Sequence, residues 1–176
     1  MMEPESDSPF AVIAKYQQSA PVNVDAIARE LGIKVYREVL APDVYGMLVH
    51  DPAKGGPSGY AIYINSETAI NRQRFTLAHE IAHFILHRDL LANRHVDKAM
   101  YRSDLSDKIE RQANQLAADI LLPLDLMKTA YQTERNPHAL ARLFHVASDA
   151  IEIRLRTVRT QEAAAAQAAA RVKARQ

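Results

Sequence analysis

No cysteine occurs anywhere in the 176 residues. That excludes disulfides and thiolate zinc sites, so any metal must be held by histidine and carboxylate. An excess of one charge is missing as well. The formal net charge is +1 at pH 7, which argues against a chain that sits on nucleic acid or membrane by bulk electrostatics. Long apolar runs are also absent: no stretch approaches the roughly 18 residues needed to span a bilayer. The leading segment Met1-Met2-Glu3-Pro4-Glu5-Ser6-Asp7 is acidic and lacks the order of a signal peptide, so a cytoplasmic protein is expected. What is present is the balance of an ordinary globule, 48% hydrophobic and 24% charged, long enough for one domain with a real core.

Residues 1–9 read as a disordered lead-in. Phe10 to Gln18 has the spacing of a short helix, and Asn23 is placed to cap a second one carrying Val24, Ile27, Ala28 and Leu31, with Gly32 just past its end. Ile33 to Val39, Tyr45 to His50 and Tyr60 to Asn65 alternate as strands. Pro52-Ala53-Lys54-Gly55-Gly56-Pro57 joins the last two as a hairpin, and the three together predict a small antiparallel sheet. A helix is expected from about Glu67 to His87, with Ser66 or Thr68 as its cap. Asp89 to Leu105 carries little regular signal. A second strong helix follows, with Ile109, Ala113, Leu116, Ala117 and Ile120 as its core stripe and Pro123 at its end. Leu124 to Tyr131 reads as another short helix. Ala139 to Phe144 and Ser148 to Val158 read as a pair after the break at Asn136-Pro137.

The first long helix carries the chemistry. His79-Glu80-Ile81-Ala82-His83 places two imidazoles one turn apart on one face, able to reach a single cation. Glu80 is turned about 100° from His79, close enough to serve a metal-bound water without being a ligand. This is the layout of a metalloprotease zinc helix, with two ligands and a general base.

Three residues compete as third ligand. Asp89, six past His83, needs a glycine at the turn where Leu86 stands. His87 continues the spacing, but three side chains along eight residues of one straight helix, about 12 Å, do not meet at one ion. Glu110 sits beside the core stripe of the second helix and closes a His2Glu site if the two helices pack side by side. Asn114, one turn on, shares its face.

These residues also carry a family resemblance. Arg74-Phe75-Thr76-Leu77-Ala78-His79-Glu80-Ile81-Ala82-His83 with Leu86-His87, and Glu110-Arg111-Gln112-Ala113-Asn114-Gln115-Leu116-Ala117-Ala118 followed by Leu121-Leu122-Pro123, resemble the two signature helices of the ImmA/IrrE metallopeptidases. Ala28-x-x-Leu31-Gly32-Ile33 and Ile64-Asn65 match as well, over roughly residues 20–158. The resemblance implies an α+β, zincin-like fold, one zinc held by His79, His83 and Glu110, and Glu80 as catalytic residue. It also implies a helix-turn-helix repressor as substrate, cleaved to relieve repression in stress, mobile-element or toxin–antitoxin regulation. Leu116 departs from it, standing where the family more often has an aromatic.

The organisation expected is a metallopeptidase domain at 10–135, a helical hairpin packed on it at 136–160, and an alanine-rich helical or disordered tail at 161–176. His87, His95 and Tyr101 are the candidates for a second oxyanion donor. The alternative reading is a non-catalytic metal-binding regulator. It would bind DNA or a repressor through the helix-turn-helix rhythm of 139–155, with Arg154, Arg156 and Arg159 on phosphates. Direct DNA binding is the less favoured, because the usual turn glycine is missing.

Overall fold

The computed structural model describes residues 8–92 and 104–173. In chain order the elements are α1 (Pro9–Tyr16), α2 (Val24–Glu30), β1 (Lys34–Glu38), β2 (Gly46–His50), β3 (Tyr60–Asn65), α3 (Ile70–Ala92), α4 (Asp104–Leu121), α5 (Leu124–Thr133), α6 (Pro137–Phe144) and α7 (Ser148–Lys173). This is the expected α+β class, mostly helical around a three-stranded sheet.

Local signals hold at the short helices. The Asn23 side chain caps α2, accepting from the Ala26 N–H at 3.0 Å, and Gly32 beyond it takes φ 75°, the left-handed conformation that ends a helix. Asn136 caps α6 in the same manner, with Pro137 in the first turn. At α3 the expected caps fall short of its first residue, Ile70. The Thr68 hydroxyl instead donates to the Asn65 carbonyl at 2.9 Å and closes the turn after β3.

The sheet departs from expectation in one respect. Its order is β1-β3-β2, and β2 pairs antiparallel with β3 as the hairpin predicts. But β1 pairs with β3 in parallel, Lys34 opposite Ala61 and Glu38 opposite Asn65, so the sheet is mixed rather than antiparallel. Residues 39–45 carry the chain over the position that β3 later fills. β3 then enters between two strands of opposite direction and must run parallel to one of them. Burial follows from that place: Tyr60, Ala61, Ile62 and Ile64 are all buried, whereas Leu48 alone is buried in the two edge strands.

α3 packs on β2 and β3. The approach is tightest at Gly46, where a Cβ would stand 2.5 Å from Thr76 Cγ2 and 2.9 Å from the Tyr63 carbonyl oxygen. No larger residue fits there without movement. α4 lies against α3, and small side chains let the two helices come close: Ala78 and Ala82 on one, Ala113 and Ala117 on the other, none with any exposure. One contiguous core then runs from Ile13 of α1, through Leu77, Ile81 and Ile120, to Leu140, Phe144, Ile151, Leu155 and Val158 of α6 and α7.

The long helices extend past their expected ends. α3 continues to Ala92 and α4 starts at Asp104, so helix takes up both ends of the stretch expected to be irregular; residues 93–103 lie outside the described residues, as do 1–7 of the lead-in. The alanine-rich segment is not separate from the helix before it. α7 runs unbroken to Lys173, and past Val158 its described side chains are exposed.

Candidate metal centre

Helix α3 presents His79 and His83 with ring centroids 4.5 Å apart and their Nε2 atoms 3.0 Å apart. The start of α3 is tied down at several points. The Arg74 guanidinium donates to the Val22 carbonyl at 2.9 Å and to that of His145 at 3.3 Å, and the Asn71 amide donates to the Val146 carbonyl at 3.1 Å. Burial lowers the Arg74 pKa from its ordinary value. These ties hold the helix from both sides, at the entry to α2 and at the α6–α7 turn. Neither was singled out for a role in the sequence, because each side chain reaches a backbone carbonyl far along the chain.

Glu110 arrives from the first half of α4. Its Oε2 lies 3.4 Å from His79 Nε2 and its Oε1 3.3 Å from His83 Nε2. One ligand atom from each of the three residues falls within 4.8 Å of the others. Ligands about 2.0–2.1 Å from a tetrahedral ion stand about 3.3–3.4 Å apart; the two histidine–carboxylate spacings match the edges of such a site, and the 3.0 Å between the two histidine nitrogens is somewhat shorter. The chemistry of the set agrees: two imidazoles and a carboxylate, with no thiolate to compete. The residues present fit a divalent metal of the zinc type. The side chains of His79 and His83 are 17% and 10% exposed and that of Glu110 is 53% exposed, so the group opens to solvent on the α4 side.

The outer nitrogen of His79 is also held. Its Nδ1 is 3.0 Å from Asn114 Oδ1, an oxygen that can only accept. With the proton on Nδ1, Nε2 carries a lone pair toward Glu110 and His83, the tautomer that a metal ligand requires. Asn114 was expected to share the site, and this is where it acts. Glu80 follows His79 on the helix and is buried.

Other sequence candidates fall elsewhere. Asp89 is exposed on α3, which runs unbroken past it, and it is not in the cluster. His87 is buried on the Nδ1 side of His83, its own Nδ1 3.2 Å away, which removes it as co-ligand and as oxyanion donor. His95 and Tyr101 lie outside the described residues. Leu116, which stands where the family more often has an aromatic, is partly buried and packs against the core.

The arginines that the alternative reading would set on phosphates are in part used inside the fold. Arg154 donates to Asp119 Oδ1 at 2.5 Å and to the Ala118 carbonyl at 3.1 Å. Arg159 donates to the Tyr131 hydroxyl at 3.0 Å, which lowers that phenol's pKa. The α6–α7 turn forms without glycine, because His145 takes φ 53° itself. The first turns of α7 carry Asp149 and Glu152, the wrong sign for a helix laid against DNA.

The helix pair brings together two imidazoles and a carboxylate, a set of the kind that holds a metal ion. The profile of the IrrE N-terminal-like domain, a peptidase family, matches residues 28–156, and the chain belongs to that family. The radiation response metalloprotease IrrE of Deinococcus deserti is 43% identical over 74 residues, 40% of this chain and 25% of that one. Metallopeptidase ImmA of Bacillus subtilis is 30% identical over 112 residues, 62% of each chain. Among solved structures, a Mycobacterium tuberculosis transcriptional regulator superposes with a TM-score of 0.56 at 18% identity, covering 82% of this chain and 44% of that one, a likeness of fold alone. The chain thus spans less than two thirds of each of these relatives.

Proposed function

We propose that this chain is a zinc-dependent endopeptidase whose substrate is a helix-turn-helix transcriptional repressor. The observation that carries the reading is the convergence of His79 Nε2, His83 Nε2 and the Glu110 carboxylate from two helices, with Glu80 beside the first ligand. His79, His83 and Glu110 hold the ion. Zinc, when bound, would supply a Lewis acid that lowers the pKa of water toward about 7 and polarises the scissile carbonyl. The Glu80 carboxylate takes the proton from the attacking water and passes it to the leaving amine nitrogen.

Substrate lies extended along β2. That strand is an edge whose outer side pairs with no described strand, and at Gly46 it abuts Thr76, one turn before Glu80 on α3. Backbone pairing to such an edge gives affinity without demanding a particular sequence. The repressor as target rests on the family resemblance, and the names of IrrE and ImmA support the peptidase reading. No helix among the described residues is long and apolar enough to cross a membrane, and a repressor substrate puts the work in the cytoplasm.

Glu80→Gln tests the mechanism. The variant keeps its zinc and loses cleavage of a helix-turn-helix repressor substrate by about 10²–10⁴-fold, the usual contribution of a general base. Unchanged cleavage by a zinc-loaded Glu80→Gln protein would sink the assignment.

A further inference from the structure

The two histidine ligands are held by unlike partners. His79 turns Nδ1 to an amide oxygen, but His83 turns Nδ1 to a second imidazole, the Nδ1 of His87 at 3.2 Å. The other nitrogen of that ring, His87 Nε2, is 3.2 Å from Gln112 Oε1 on α4. Both rings are buried, and a neutral imidazole has one N–H and one lone pair. The contact between the two Nδ1 atoms therefore has a direction.

Suppose His87 donates. Its Nε2 then turns a lone pair to the Gln112 oxygen, two acceptors face to face, and His83 carries its proton on Nε2. That proton would point at His79 Nε2 and Glu110, and His83 could not ligate. The opposite direction satisfies both contacts of the relay, and it turns the lone pairs of His79 Nε2 and His83 Nε2, 3.0 Å apart, toward the Glu110 carboxylate, an arrangement that a metal ion between them would pair. The Gln112 oxygen accepts from His87 Nε2–H, His87 Nδ1 accepts from His83 Nδ1–H, and the His83 Nε2 lone pair is left facing the other two ligand groups.

We propose that Gln112 and His87 form a tautomer relay that fixes His83 as a metal ligand. Both are positioning residues, touching neither ion nor substrate. The proposal rests on the metal-centre reading above. It gives α4 two roles, since the helix that brings Glu110 also sets, through Gln112 two residues on, which nitrogen of His83 carries the lone pair. Docking of α4 against α3 then supplies the third ligand and prepares the second in one event.

The test starts with metal-free, ¹⁵N-labelled protein at a pH where its imidazoles are neutral, read by long-range proton–nitrogen correlation. His83 is expected as the Nδ1–H form and His87 as the Nε2–H form. Gln112 is exposed, so its replacement leaves the fold in place, with circular dichroism as control. Gln112→Leu mixes the His83 tautomers and weakens zinc binding about 10–100-fold in competition with a chelating dye. Gln112→Glu, which keeps the acceptor, restores both. The relay is overturned if wild-type His83 carries its proton on Nε2, or if Gln112→Leu leaves tautomer and affinity as they were. Neither readout involves cleavage, so a chain that binds zinc and cuts nothing would still decide it.

Discussion

Helices α3 and α4 meet at the candidate metal centre but are built on opposite plans. α3 is enclosed on much of its circumference: Leu77, Ala78, Ile81 and Ala82 have no exposure, and even Glu80, His83 and His87 are buried. α4 has two faces, Ala113, Ala117 and Ile120 inward and Gln112, Asn114 and Gln115 outward. Polar groups buried in α3 are costly unless each finds a partner, so their presence alone signals a site. Polar groups on α4 cost little anywhere on its outer face, and only their register against α3 carries information.

That contrast is open to attack by substitution. The largest effect expected is from His79→Ala, which removes a ligand that α3 alone supplies: zinc by elemental analysis after dialysis falls from about one per chain to near none. Full occupancy would contradict the assignment. Next is Ile81→Ala, which opens a cavity at a fully buried position of α3 and costs about 2–5 kcal/mol in urea unfolding. Asn114→Ala, on the outer face of α4, should leave stability nearly unchanged yet weaken zinc binding about 10–100-fold, because the His79 tautomer is no longer held. The smallest is Gln115→Ala one residue on, which loses only a hydrogen bond to Asp119 at 3.2 Å within the helix. It should stay within about 0.5 kcal/mol and leave zinc affinity untouched. If Gln115→Ala weakened zinc as much as Asn114→Ala, position on α4 would not be what matters.

The same contrast explains what was legible in the sequence. His79, Glu80 and His83 announce themselves because their spacing is a helical turn, and Glu110 follows once a second helix is required to pack beside the first. Asn23 and Gly32 are read from local backbone needs, and the structure has both doing what those needs dictate. What escaped depends on distant partners. Parallel pairing of β1 with β3 needs knowledge that a later strand inserts between two earlier ones. Arg154 and Arg159 look like a solvated or phosphate-facing row until Asp119 and Tyr131 are seen to meet them. His87, eight residues past His79, resembles a spare ligand in sequence, and only the Gln112 contact gives it a direction.

The unequal exposure of the three ligand groups has a consequence for exchange. Two side chains stand in the protein wall, while Glu110 is more than half open, 53% against 17% and 10%. In the proposed metal site an ion arriving or departing would pass the carboxylate, whose release needs no opening of the core. The dissociation rate of an ion there would follow how firmly α4 holds Glu110 in place. A chelator meets Glu110 before it meets either histidine, and so does any partner protein that grips α4 from outside. Such a partner would change the lifetime of the loaded state while leaving the inner pair of ligands as they stand.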